Sequence, residues 1–130
     1  MALNETPIFP RSPEIGQVSI STANANRDGT GTIGTVYTAG ADGAYIESVT
    51  VKATGNTTAG MIRLYIYDGV SVYTLIYEMD VDALTPSATV KSYYREYYLG
   101  RRLEAGHSLR ASTEKAETFV ITAFAGSLTA

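Results

Sequence analysis

Cysteine and tryptophan are absent from this sequence of 130 residues, and histidine occurs once, at His107. Because there is no cysteine, disulfides, thiolate metal sites and cysteine nucleophiles are excluded. A lone histidine does not supply a common zinc-binding set within one chain, and no nucleophile is apparent beside it. We therefore expect a chain that is not an enzyme and that binds neither a metal nor a cofactor.

Long runs of basic residues or of apolar residues are also missing. The net charge is −3, and the densest basic spot, Arg101-Arg102, has Glu104 beside it. A surface that neutralises a run of phosphates is therefore not predicted. The longest mostly apolar run is far too short to span a membrane, and the chain does not begin with the basic and apolar segments of a secretory signal. We expect folding in a reducing cytoplasm, with neither nucleic acid nor a membrane as partner.

What the chain does contain is a regular series of glycine-bearing turns separated by runs of Val, Ile, Thr and Tyr. These residue types suit a pleated surface, and the turns punctuate it at short intervals. The pattern predicts eight strands, over residues 17–23, 31–39, 44–54, 61–68, 72–81, 90–99, 107–113 and 117–125. No window shows sustained helical spacing of apolar residues, so no long helix is expected.

One pair of strands has an especially clear signal. The Asp68-Gly69 dipeptide separates two alternating runs and predicts a hairpin. In the second run the apolar row is predicted to be Tyr73, Leu75, Tyr77, Met79 and Val81. Eight short strands without a long helix predict an all-β fold, a two-sheet antiparallel sandwich. A jelly roll is the first choice and an immunoglobulin-like sandwich the second.

The first sixteen residues differ from the rest because they hold three of the four prolines, Pro7, Pro10 and Pro13. Proline fixes φ and lacks an N–H, so this segment is expected to be extended and outside any sheet interior. We predict an arm over residues 1–16 with Ile8 and Phe9 as anchors, followed by one domain over 17–130. A frayed terminus is the alternative.

Tyrosine is the strongest remaining signal, with ten residues, four of them in YYREYY at 93–98. Tyrosine combines an apolar body with a polar tip and suits partly buried surfaces and interfaces. Three interpretations stay open: packing at the sandwich edges, a stacking platform for sugar rings, and a protein interface. On a strand one face of this stretch packs inward and the other meets a partner. The predicted interface consists of Tyr93, Tyr94, Arg95, Tyr97 and Tyr98, together with the arm residues Ile8 and Phe9.

Two blocks of the sequence carry a resemblance to a known group of proteins. They are DGTGTIGTVYTAGADGAYIESVTVKATGNTTAGMIRLYIYDG at residues 28–69 and LEAGHSLRASTEKAETFVITAFAG at residues 103–126. Both resemble small proteins encoded among the virion genes of tailed bacteriophages and prophages. The resemblance covers most of the chain beyond the arm, and its motifs are turns and core strands.

The resemblance implies a structural component of the virion, with the jelly-roll fold of a capsid decoration or cement protein. Proteins of this kind bind the assembled shell as dimers or trimers, so the implied partners are further copies of the chain and the major capsid protein or another virion protein. Folding would take place in the host cytoplasm. A tail or baseplate component and a carbohydrate-binding module of a host-recognition apparatus are the alternatives, the latter with a glycan as ligand.

Overall fold

The computed structural model describes residues 10–128, which form eight strands and no helix. The strands are β1 (Pro10–Ile20), β2 (Gly34–Thr38), β3 (Ala44–Ala53), β4 (Gly60–Tyr67), β5 (Tyr73–Val81), β6 (Tyr94–Leu103), β7 (Ser108–Thr113) and β8 (Phe119–Leu128). Among these residues there is thus no helix with the length and apolar character needed to cross a membrane. The predicted all-β sandwich of eight strands is confirmed.

The strands form two antiparallel sheets of four. The first sheet has the order β1-β8-β3-β6 and the second has the order β2-β7-β4-β5. Each strand of the first half of the chain pairs with one of the second half, β1 with β8, β2 with β7, β3 with β6 and β4 with β5. This is one long hairpin wound into two sheets, which is the connectivity of a jelly roll.

Strand β1 begins seven residues earlier than the sequence predicts. It pairs with β8 from Pro10 to Ile20, so residues 10–16 of the predicted arm belong to the sandwich. Proline is compatible with this position because β1 is an edge strand. On its solvent side no neighbouring strand needs the N–H that proline lacks. The other part of the predicted arm, with Ile8 and Phe9, lies outside the described residues.

The core lies between the two sheets and is formed by alternate residues of each strand. Its fully buried members include Ile46, Val49, Val51, Ile62, Leu64, Met79, Leu103, Leu109, Phe119 and Ile121. The sheets approach closely near β1, where a Cβ on Gly16 would lie 2.3 Å from the carbonyl oxygen of Val36. A side chain at this position would force the sheets apart, so glycine is required here.

The predicted hairpin at Asp68-Gly69 joins β4 and β5. The Asp68 carboxylate accepts hydrogen bonds from the backbone N–H groups of Val70, Ser71 and Val72 at 2.8–3.0 Å, and these bonds lower the pKa of Asp68. Gly69 has a φ of 84°, a value that favours glycine.

The apolar row predicted on β5 is correct only at one end of the strand. Met79 and Val81 are buried, and Tyr77 lies on the same side, opposite Leu64. Tyr73, in contrast, contacts Tyr65 on the outer side of the sheet. The register shifts between Tyr77 and Leu75, which leaves Ile76 as an extra residue in a bulge. A bulge reverses the alternation beyond it, and Ile76 rather than its neighbours packs against the core.

Candidate functional site

The outer face of the second sheet is covered by the chain itself. The connection between β1 and β2, residues 21–33, crosses this face and is bound to it at several points. The Asn24 N–H donates to the carbonyl of Thr113 at 2.8 Å, and the Tyr65 hydroxyl donates to the carbonyl of Asn26 at 2.9 Å. Because of this cover, Arg63 and Tyr65 are fully buried although they point away from the core. We call this surface the covered face.

Arg63 is the centre of the polar contacts under the cover. Its guanidinium donates to Glu78 and to Glu114 at 3.2 Å each, and to the carbonyl of Asn24 at 3.4 Å. Arg27 of the covering segment also donates to Glu78, at 2.9 Å. The hydrogen bond from Arg27 and that from Arg63 hold the pKa of Glu78 below its usual range. A buried cation with two carboxylate partners is satisfied, so this network fixes the cover to the sheet.

Three of the ten tyrosines also belong to the covered face or its border. The Arg110 guanidinium lies 4.5 Å from the ring centroid of Tyr67 and 5.8 Å from that of Tyr73. The rings of Tyr65 and Tyr73 meet edge to face at 6.2 Å. These tyrosines are structural and pack within the protomer.

The outer face of the first sheet, in contrast, carries no covering segment among the described residues. We call it the open face. Its side chains are Ile15, Gln17 and Ser19 on β1, Val120, Thr122 and Phe124 on β8, Tyr45, Ser48, Thr50 and Lys52 on β3, and Tyr94, Glu96 and Tyr98 on β6. The register places Ile15, Phe124, Ser48 and Tyr98 side by side in one row across all four strands.

Large apolar side chains are exposed on the open face. The exposed fraction is 67% for Ile15, 37% for Phe124, 52% for Tyr94 and 67% for Tyr98. The hydroxyls of Tyr98 and Tyr45 are 3.0 Å apart, and this hydrogen bond raises the pKa of Tyr45. Several exposed apolar and aromatic side chains on one sheet face are typical of an interaction site.

Charge is sparse and balanced on this surface. Its charged side chains are Lys52 and Glu96, together with Glu47 at the β3 bulge beside Tyr45 and Arg102 opposite Tyr45. The Gln17 amide donates to the hydroxyl of Thr122 at 2.9 Å, and Glu96 is the one charged residue in this middle row. Depletion of charge together with aromatic enrichment matches the centre of protein interfaces.

The structure distributes the predicted interface residues over two environments. Tyr94 and Tyr98 lie on the open face, but Tyr93 is only 4% exposed and belongs to the core. Its hydroxyl donates to the carbonyl of Asp80 at 2.6 Å, its ring meets Phe119 edge to face at 6.4 Å, and burial raises its pKa. The alternation of YYREYY between an inner and an outer face is therefore as expected, with Tyr93 on the inner side.

The remaining two predicted residues lie at the inner border of β6. Tyr97 is half-buried, packs against the core and contacts the ring of Tyr77 at 5.6 Å. Arg95 is exposed and donates to the Asp82 carboxylate at 3.0 Å. Neither side chain points to the open face.

Sequence reasoning missed Ile15, Phe124 and Tyr45 as surface residues. Ile15 was placed in the arm, and Phe124 lies in a strand whose residues are apolar on both faces. The usable signal was the alternation along β8, which sets Phe124 opposite to Ile121 and Ala123. The row they form with Tyr98 depends on strand order, which alternation does not reveal.

Shallow clefts border β6 at its two ends. One of about 310 Å³ is lined by residues including Asp82, Lys91, Tyr94 and Arg95, and the other, of about 290 Å³, by residues including Ile76, Arg101, Arg102 and His107. The Nε2 atom of His107 lies 4.0 Å from the Oε2 atom of Glu104. Within residues 10–128 no three His, Asp or Glu side chains cluster in a way that would hold a metal ion.

Comparison with known proteins gives similarity in fold. No protein-family model and no curated protein matches the chain. The acidic stable capsid structure of Helicobacter pylori bacteriophage KHP30 contains a chain with 12% identity over 95% of both chains and a TM-score of 0.53. At this identity the likeness shows a shared fold.

A second solved structure is more distant. The CBM22-1–GH10 modules of Clostridium thermocellum xylanase Xyn10B, complexed with xylohexaose, match at 17% identity with a TM-score of 0.43, over 87% of this chain and 26% of that chain. A similarity at this level supports no argument about function.

Proposed function

We propose that the chain is a non-enzymatic structural protein of a bacteriophage virion, a capsid decoration protein that oligomerises and binds the assembled shell through its open face. The observation that carries this proposal is the exposure of Ile15, Phe124, Tyr94 and Tyr98 on one uncovered sheet face. The outer face of the opposite sheet is closed by the chain's own segment, so the two sides of the sandwich differ in their capacity to bind.

Two further points support the proposal. The sequence blocks at 28–69 and 103–126 resemble virion proteins of tailed phages, and the fold is shared with a chain in a phage capsid structure. A decoration protein needs a stable fold and a surface that binds the shell, and it needs no catalytic residues. The jelly roll with its open face supplies both requirements.

The predicted arm fits this arrangement. Ile8 and Phe9 directly precede Pro10, the first residue of β1, and β1 is the edge of the open face opposite β6. We predict that Ile8 and Phe9 add to the contact with the shell. Their role remains a prediction.

Binding to shells tests the proposal. Shells assembled from the major capsid protein of the same genome are sedimented with the purified chain, and the bound fraction is measured as a function of concentration. We expect saturable binding that Ile15→Asp reduces more than tenfold, since it places a charge in the apolar row. Val70→Asp is the matched control, because Val70 is 80% exposed at a hairpin tip away from the open face. Equal binding of both variants would contradict docking through the open face.

The carbohydrate alternative is separated by a second readout. Migration through polysaccharide gels is compared for the wild-type chain and a Tyr94→Ala Tyr98→Ala variant. We expect no retardation of either. Retardation that depends on the two tyrosines, without binding to shells, would replace the capsid proposal by a glycan-binding one.

A further inference from the structure

Of the four edge strands of the sandwich, β6 is the least protected. β1 contains Pro10 and Pro13, β2 has only five residues, and β5 carries a bulge within its length. Proline, shortness and bulges are devices that stop an edge from pairing with another chain. β6 has ten residues and no proline. Its register against β3 shifts between Tyr98 and Arg101 but is regular from Tyr94 to Tyr98, which leaves five residues that can pair.

The backbone groups on the open side of β6 can be identified from the ladder. The Ala53 N–H donates to the Tyr93 carbonyl at 2.9 Å, which makes this opposed pair a hydrogen-bonded one. Hydrogen-bonded and non-bonded pairs alternate along an antiparallel ladder. The N–H and C=O groups of Tyr94, Glu96 and Tyr98 therefore point away from β3, to a side where no described strand lies.

We propose that two copies of the chain pair their β6 strands antiparallel about a two-fold axis at Glu96, which joins their first sheets into one continuous sheet of eight strands. This inference rests on the oligomer that the proposed function requires and names its interface. The partner is a second copy because an exposed edge of this kind is self-complementary under a two-fold axis.

The register follows from the number of hydrogen bonds. In the regular stretch of β6, before its register shifts beyond Tyr98, the free groups on the open side belong to Tyr94, Glu96 and Tyr98. The proposed hydrogen-bonded pairs come from these three residues. With Glu96 opposite Glu96, Tyr94 of each copy lies opposite Tyr98 of the other, and about six hydrogen bonds form. A slip of two residues in either direction retains about four. The symmetric register is therefore favoured, and it also gives two cross-strand tyrosine pairs.

The same register has one unfavourable contact. It sets two Glu96 carboxylates directly opposite each other, and like charges in this position weaken strand pairing. The repulsion between the two Glu96 carboxylates weakens the dimer and makes it reversible. It also provides a test, because removing this charge must strengthen association. A dimer formed face to face through the row of Ile15, Phe124 and Tyr98 does not require two Glu96 side chains to lie opposite each other.

The dimer also increases the surface available for docking. Four strands about 4.8 Å apart and about ten residues long give the open face a footprint of roughly 600 Å². A standard interface buries about 800 Å² on each partner. Two open faces joined along β6 give roughly 1,200 Å² on one side of a single sheet, which exceeds this requirement.

Sedimentation velocity over a wide concentration range tests the pairing with the complete chain. We expect a reversible dimer in which Glu96→Gln lowers the dissociation constant about fivefold, the size expected from removing one opposed like-charge pair. Glu47→Gln makes the same charge change at an exposed position on β3 and is expected to have no effect. A monomer at every concentration, a trimer, or equal behaviour of the two variants would overturn the inference.

A backbone substitution probes the hydrogen bonds directly. Glu96→Pro removes the charge but also an N–H on the open side, so we expect it to be monomeric and folded, with folding followed by thermal unfolding. A dimeric Glu96→Pro variant would overturn the inference, and if this variant does not fold, the comparison of Glu96→Gln with Glu47→Gln decides.

The outcomes also separate this inference from the proposed function. A monomer that still binds shells overturns edge pairing and the oligomer but leaves docking through the open face, because Ile15 lies on the opposite edge strand. A dimer that does not bind shells overturns the capsid proposal alone.

Discussion

The covered and the open face are the outer sides of two sheets of equal size, and each carries tyrosines, yet they have different roles. On the covered face Tyr65 and Arg63 are fully buried under residues 21–33 and satisfied by hydrogen bonds. On the open face Tyr94 and Tyr98 reach solvent. The difference teaches that tyrosine content does not identify an interface. What distinguishes the two faces is whether the chain supplies its own cover.

The largest effect is expected from the buried arginine of the covered face. Arg63→Ala leaves Glu78 and Glu114 without their shared cation and opens a cavity under the cover. Breaking a buried ion pair by removing one partner costs about 3–5 kcal/mol, which is a large part of the stability of a small domain. Chemical denaturation measures the loss, with Arg101→Ala on the exposed side of β6 as control. A stability equal to that of the control would show that the network does not fix the cover.

A smaller loss is expected from the covering segment itself. The buried Asn24 amide donates to the carbonyls of Thr30 and Thr32 at 2.9 and 3.0 Å, and its oxygen accepts from the Asn26 N–H at 3.0 Å. Asn24→Ala removes these three bonds, and at roughly 1 kcal/mol each the cost is about 2–3 kcal/mol. Hydrogen exchange over residues 21–33 should rise more than in β3. Unchanged protection of this segment would contradict its description as a cover held by Asn24.

Acid provides a third test of the covered face. The pKa of Glu78 is lowered in the folded state, so its contribution to stability is complete above its unfolded value of about 4.3 and is lost as the pH falls through the lower, folded value. Stability measured by urea between pH 7 and pH 3 should therefore decrease below about pH 4.5. Glu78→Gln should reduce this dependence, whereas Glu47→Gln, on the exposed part of β3, should not. Identical acid profiles for both variants would exclude the contribution of Glu78.

The smallest change in stability is expected on the open face. Tyr94→Ala and Tyr98→Ala remove exposed side chains, and each is expected to change the free energy of unfolding by about 0.5 kcal/mol or less. Tyr93→Ala, one residue away but in the core, should cost about 3–5 kcal/mol. Thermal unfolding with far-UV circular dichroism measures all three. A large loss from the exposed pair would show that the open face is part of the fold rather than a surface for partners.

Much of the fold follows from local patterns. The turn glycines and the β-rich runs predict eight strands, and the structure has all eight. The Asp68-Gly69 hairpin forms with the expected chemistry, because an aspartate that caps its own turn needs only its near neighbours. The start of β1 at Pro10 was missed, since prolines argue against a strand unless it is known to lie at an edge.

The candidate site was predictable only in part. Alternation along YYREYY separates Tyr94 and Tyr98 from Tyr93 and Tyr97, but it does not tell which pair faces solvent. Arg63 could not be identified as buried, because its position on β4 has the alternation of a solvent-facing residue. Its burial depends on a segment more than thirty residues away in the chain, Asn24 among them.

The sequence by itself determined the all-β fold class, since the alternation of side chains and the chemistry of the turns are properties of neighbouring residues. It also excluded disulfides and cysteine thiolates, because the chain contains no cysteine. Only the tertiary structure decided the order of the strands, the pairing of β1 with β8 and the course of residues 21–33 over one sheet. These are contacts between distant parts of the chain, and they decide which sheet face is closed and which edge remains free for a partner.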